Sequence, residues 1–157
     1  MAALCQRVLS IPTKKTVHPV LGYLTEDQLS HLLAQVDRTT RSGERDYLLI
    51  ALLYDTGARI QELLGMTPGD FRFDPPPYVR LHGKGRRDRL CPLLPQTARV
   101  VQRFLRSHGR TDTDAAPLLQ NGHHALLTRH GARYVLAKYV ACARRSMPAL
   151  QRLAISP

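Results

Sequence analysis

Apolar residues recur at Leu29, Leu32, Leu33 and Val36, the i, i+3, i+4, i+7 spacing of one helical face, behind a Thr25–Gln28 capping-box pattern. The next run, RDYLLIALLYD, is apolar nearly all round, which predicts a central helix with Ser42 as its cap and Gly57 as a left-handed exit. A short third helix is expected from about Ala58 to Leu64. Thr67, Pro68, Gly69 and Asp70 are turn residues, with Asp70 expected to cap the turn. The stretches FRF, YVRLH and DRLCPL then read as short strands separated by PPP and HGKGR. Ala98, Val101, Phe104 and Leu105 mark a fourth helix between Pro95 and His108. Ala132, Val135, Leu136, Tyr139, Val140 and Ala143 mark a long fifth one, capped by Thr128 and flanked by Arg129, Arg133, Lys138, Arg144 and Arg145. The expected fold is α+β, mainly helical, with a small antiparallel three-stranded sheet packed among the helices over residues 23–157. Residues 1–22 carry two prolines, adjacent lysines and no sustained period, which predicts a linker or arm.

Composition narrows the partners. Twenty-three Lys and Arg stand against twelve Asp and Glu, a formal net charge of +11, which favours a polyanionic partner, nucleic acid first. Three widely spaced cysteines, Cys5, Cys91 and Cys142, do not make a disulfide scaffold or a zinc cluster and fit a reducing cytoplasm. The longest apolar run, YLLIALLY, has eight residues, too few for a membrane span, so no membrane association is expected.

Two stretches carry candidate chemistry. In YDTGARIQELLGM, Arg59 falls at the start of the short third helix, where free backbone N–H groups favour an anion, and Glu62 three residues on can hold its guanidinium in one orientation. Spacing alone favours an ordinary surface ion pair. In LHGKGRRDRLCPL, Lys84 sits between Gly83 and Gly85 at a hairpin tip, followed by Arg86, Arg87 and Arg89. The phosphate-loop pattern GxxxxGK[ST] is absent, so no nucleotide is expected. His123, His124 and His130 lack a third ligand at helical or strand spacing, so no metal cofactor is expected either.

Taken together, RDYLLIALLYDTGARIQELLGMTPGDF followed by LHGKGRRDRLCPL resembles the first two boxes of the tyrosine recombinase, or phage integrase, family. GYLTEDQLSHLLAQVD is similar to the opening helix of that family's catalytic domain, and PLLQNGHHALLTRHGARYVLAKYV to the strand and helix before its third box. The resemblance covers nearly all of residues 20–157. It implies DNA strand cleavage and rejoining through a 3′-phosphotyrosyl intermediate, without metal or nucleotide, with other recombinase protomers as partners in a bacterial or phage-like context. Arg59 matches the first catalytic arginine, Lys84 the hairpin lysine that acts as general acid, and Glu62 a position supporting the arginine. Arg86, Arg87, Arg129 and Arg133 are expected to grip backbone phosphates.

The chain departs from the family pattern at its ends. The third box, His-x-x-Arg, and the later nucleophilic tyrosine are not found in it, and the helical core-binding domain does not precede it. Tyr23, Tyr47, Tyr54, Tyr78, Tyr134 and Tyr139 all precede the place of the third box, and the nucleophile role is carried onto none of them. Core roles are expected for Tyr47, Tyr54 and Tyr139. The expectation is a partial catalytic domain that binds DNA but does not cleave it alone; the alternative is a non-catalytic basic DNA-binding accessory protein.

Overall fold

The computed structural model describes residues 24–83, 85 and 87–152, the side chains of the last two excepted. The arm expected over residues 1–22 and the side chains of Lys84 and Arg86 lie outside the described residues.

Helix α1 spans Glu26–Ala34, and its capping box is complete: the Thr25 hydroxyl accepts from the Gln28 N–H at 3.3 Å, and the Thr25 N–H donates to Gln28 Oε1 at 2.9 Å. Helix α2, Arg41–Thr56, buries Leu48, Leu49, Ile50, Ala51 and Leu52, five consecutive residues that only a helix covered on all sides can bury together. Its cap is Thr40 rather than the expected Ser42. The Thr40 backbone is extended and its hydroxyl accepts from the Gly43 N–H at 3.0 Å, while Ser42 already lies inside the first turn. Gly43 permits this start, because a Cβ there would fall 1.8 Å from the Asp37 carbonyl oxygen.

Gly57, at φ 55°, turns the chain out of α2 as expected. Helix α3 covers Ile60–Leu64, so it begins two residues later than the sequence predicts. A 3-10 turn at Pro68–Asp70 leads into an antiparallel sheet in the order β1-β2-β3, formed by β1 (Phe71–Arg72), β2 (Tyr78–His82) and β3 (Asp88–Pro92). Phe73 falls outside the first strand, which is shorter than FRF. Alternation along β2 buries Val79 and Leu81 and exposes Arg80 and His82.

Helix α4 (Pro95–Ser107) buries Ala98, Val101, Phe104 and Leu105. In helix α5 (Arg129–Ser146) all six stripe residues named from the sequence are buried. The fold is therefore mainly helical with a small three-stranded sheet, and one apolar cluster joins residues from all five helices to Phe71, Val79 and Leu81 of the sheet.

A polar stitch runs through that cluster. Tyr139 of α5 donates its hydroxyl to Asp46 of α2 at 3.1 Å, and Arg45 donates to the same carboxylate from Nε at 2.9 Å and Nη2 at 2.6 Å. Tyr139 thus has the core role expected of it, with a bonded polar tip. Tyr47 is half-buried, with the Arg38 guanidinium 4.2 Å above its ring. Tyr54 does not join the core. It is 42% exposed beside Leu94, in a shallow cleft between α1, α2 and the start of α4. Replacing Tyr139 by Phe removes one buried hydrogen bond at nearly constant volume, and a loss of about 1–2 kcal/mol is expected in denaturant unfolding. No change in unfolding free energy would show that the stitch contributes nothing.

Candidate functional site

The site begins with local backbone geometry. Gly57 ends α2 and Ala58 passes under the core, so Arg59 arrives with extended backbone, φ −62° and ψ 143°, as the residue that caps α3. Arginine has no acceptor with which to cap a helix; the cap is completed from the other side. The Glu62 carboxylate reaches back and accepts from the Arg59 N–H at 3.1 Å and from Arg59 Nη1 at 3.1 Å. A cap position leaves the side chain pointing outward, and the Arg59 side chain is 81% exposed while that of Glu62 is 6% exposed. Among the described residues, Glu62 alone takes a hydrogen bond from this guanidinium, which leaves Nε and Nη2 facing solvent.

Glu62 carries a second arginine. Arg89 of β3 donates from Nη1 at 3.1 Å and from Nη2 at 2.9 Å, one bond to each carboxylate oxygen. This paired geometry is the strong form of an arginine–carboxylate contact. One buried carboxylate therefore holds two cations, one from a helix cap and one from a strand 27 residues along the chain. The Arg89 guanidinium, with burial opposing it and Arg59 assisting, holds the Glu62 carboxyl down at about 2.

That depression has a consequence for stability. The folded value lies below the ordinary 4.5, so the cluster's contribution is complete above about pH 4.5 and is lost as the pH falls toward 2. The melting temperature of the wild type should fall more steeply than that of Glu62→Gln across this window; parallel curves would show that the pairing is not coupled to folding. Breaking a fully buried ion pair costs about 3–5 kcal/mol. Both arginines can be rehydrated here, so Glu62→Gln should cost less, about 1–3 kcal/mol at neutral pH.

The hairpin comes to the same place. A Cβ built on Gly83 would lie 3.8 Å from Glu62 Oε1 and 2.6 Å from the carbonyl oxygen of Arg87, so the residue before Lys84 lies beside the glutamate, and the Arg87 carbonyl requires it to be glycine. The Gly83 N–H donates to that Arg87 carbonyl at 3.0 Å, and Gly85 adopts φ 77°. The root of the tip therefore sits beside the carboxylate that orients Arg59. Lys84 and Arg86 themselves lie outside the described residues. The Arg87 side chain is exposed on the hairpin, and Arg129 and Arg133 are exposed on the first two turns of α5, with no bond to the Glu62 cluster.

Below the hairpin is a cluster the sequence reading did not find. His82, the last residue of β2, faces Asp70 through Nε2 at 2.8 Å and Asp88 through Nδ1 at 3.0 Å. Asp70 also accepts from the Thr67 N–H at 2.8 Å and the Thr67 hydroxyl at 3.0 Å, so it caps its turn as expected and does more. Half of this was accessible beforehand, since a loop of residues 83–87 places 82 opposite 88. Arg89 was named in the sequence only as one of a run of cations; its role depends on the sheet lying against α3. Among the described residues no group of three or more His, Cys, Asp or Glu is arranged to hold a metal ion, and no helix is long and apolar enough to cross a membrane.

A mainly helical domain with a small three-stranded sheet, in which a helix-capping arginine and the root of a glycine-flanked hairpin lie beside one buried glutamate, shares its fold with tyrosine recombinases. Residues 22–150 match the model of the phage integrase family, and the chain belongs to that family. The integrase/recombinase y4rD of Sinorhizobium fredii is 35% identical over 153 residues, covering 97% of this chain and 54% of that protein. Tyrosine recombinase XerC of Syntrophus aciditrophicus is 28% identical over 160 residues, covering 98% of this chain and 49% of that protein. Among solved structures, XerH site-specific recombinase in a pre-cleavage complex with its difH substrate is similar in fold, with a TM-score of 0.66 at 20% identity over 83% of this chain and 39% of that one. XerA recombinase gives a TM-score of 0.65 at 19% identity, covering 83% of this chain and 47% of that one. The chain spans about half the length of the relatives it matches.

Proposed function

We propose that this chain is a DNA-binding portion of a site-specific tyrosine recombinase, in which Arg59 and Lys84 converge on one phosphodiester of duplex DNA. The observation that carries the reading is the Glu62 cluster: a buried carboxylate orients an 81% exposed arginine and lies beside the glycine next to Lys84. The open edge of the Arg59 guanidinium suits the non-bridging oxygens of a phosphate, where its fork can neutralise charge that builds as phosphorus is attacked. Lys84 is assigned the protonation of the departing 5′ oxygen, a task an ammonium donor can perform as general acid. Arg86 and Arg87 on the hairpin, with Arg129 and Arg133 on α5, position the duplex through its backbone and carry no sequence information.

Cleavage and rejoining through a phosphotyrosyl intermediate is the reaction assigned to the full recombinase. For this chain we propose residues 23–157 as the N-terminal part of the catalytic domain, and binding without covalent capture. Tyr139 is committed to Asp46, and the nucleophile is assigned to none of the tyrosines present. Incubation with a nicked suicide duplex, followed by a denaturing gel, should show no protein–DNA adduct; a covalent band would falsify this part of the proposal. Affinity for a labelled duplex should fall linearly on a logarithmic salt scale. An affinity indifferent to salt removes the phosphate-gripping reading altogether.

A further inference from the structure

The Asp70–His82–Asp88 cluster is not absorbed by the function proposed above, and its place in the fold gives it one. His82 stands two residues before Lys84, at the last rung of the β2–β3 ladder, and its ring joins three elements: the 3-10 turn through Asp70, its own strand, and β3 through Asp88. Asp70 is buried and fixed by Thr67, so it is an anchor in the body of the domain; Asp88 is exposed and belongs to the far leg of the hairpin. We infer that His82 is a positioning residue which, when doubly protonated, ties both legs of the Lys84 hairpin to Asp70 and so sets where the lysine meets DNA. The inference rests on the proposal that Lys84 contacts phosphate.

The hydrogen-bond inventory carries the step to protonation. A neutral imidazole has one N–H, whereas here both ring nitrogens face carboxylate oxygens at bonding distance, and only the imidazolium can donate to both. Among the described residues, the charges bearing on the ring are these two carboxylates. Of the other charged groups nearby, Glu62 of α3 is spent on Arg59 and Arg89, and Arg72 of β1 donates to the carbonyls of Gly69 and Phe71. Arg80 shares the exposed face of β2 with His82. Asp70 first, then Asp88, raise the basicity of the ring above its ordinary value. The sign follows: the tie is complete below about pH 6.5 and is lost as the pH rises through the raised value. One of the two imidazole bonds is then lost, and the contribution of Lys84 to DNA binding falls.

The test is a double-mutant cycle read at two pH values. Affinity for a labelled duplex of random sequence is measured for the wild type, His82→Gln, Lys84→Ala and the double variant, at about pH 6 and about pH 8.5. At the lower pH, Lys84→Ala should weaken binding about tenfold in the wild type and about threefold or less in the His82→Gln background. At the higher pH the two backgrounds should converge. Titration of the other histidines cancels, because they are present on both sides of the cycle. If Lys84→Ala costs the same in both backgrounds at both pH values, His82 does not position the lysine, while the phosphate-contact reading stands. If Lys84→Ala costs nothing in any background, both fall. Should His82→Gln fail to fold, Asp88→Ala replaces it, since it keeps the Asp70 anchor and removes only the acceptor on the far leg. Nitrogen-15 NMR of the ring gives an independent readout: two protonated ring nitrogens at about pH 6 support the tie, and a single-N–H tautomer there overturns it.

Discussion

Arg59→Ala lowers affinity for duplex DNA by about tenfold or more at moderate salt, and Arg59→Lys recovers little of it. The size follows from removing a charge-assisted hydrogen-bonding group worth about 1.5–3 kcal/mol from a site with no substitute in place. The failure of lysine is the more telling part. Glu62 orients a planar fork through Nη1 and leaves the rest of the guanidinium for the ligand. An ammonium is a point charge, and it cannot satisfy the carboxylate and a phosphate with the same fixed geometry. Fold is not at issue, since an 81% exposed side chain contributes little packing. Titration of a labelled duplex with each variant checks this, and a lysine variant binding as well as the wild type would reduce Arg59 to one surface charge among many.

The largest effect on stability is expected at Phe71. Its side chain is 2% exposed, its backbone pairs with Val79, and its ring stacks on Phe73 with centroids 6.1 Å apart. Phe71→Ala leaves a cavity where β1 meets the helical core, at a cost of about 3–5 kcal/mol in urea unfolding. Phe71 also follows Asp70 directly, so loss of this anchor should loosen the turn that His82 bonds to. A cost below about 1 kcal/mol would mean that the sheet is not tied to the core through this ring.

How much of this was legible in the sequence depends on how far apart the interacting residues lie along the chain. The helices were legible because their signals are local: the stripe of α5 is buried at all six named positions, and the Thr25 and Thr128 caps are where the spacing puts them. Errors of a residue or two fell at helix starts. Ser42 looked like a cap, but capping depends on which residue has extended backbone, and the close approach of the Asp37 carbonyl to Gly43 moves that point to Thr40. In the site, the Arg59–Glu62 pair was legible at three residues' spacing. Its burial was not, nor was the second arginine: Arg89 reaches Glu62 only because the sheet packs against α3 through β2. The His82 cluster needs both the hairpin register and the position of the Pro68–Asp70 turn, and no local pattern supplies the second.

The central claim is that Arg59 and Lys84 embrace a single phosphate, and counterion release can count phosphates. The slope of log affinity against log salt for duplex DNA falls by roughly 0.9 for each phosphate no longer neutralised. Measured for the wild type and for the variant carrying both Arg59→Ala and Lys84→Ala, the slope should shrink by about one. A decrease of about two would place the two cations on separate phosphates, and no decrease would take both of them off the DNA; either result contradicts the claim.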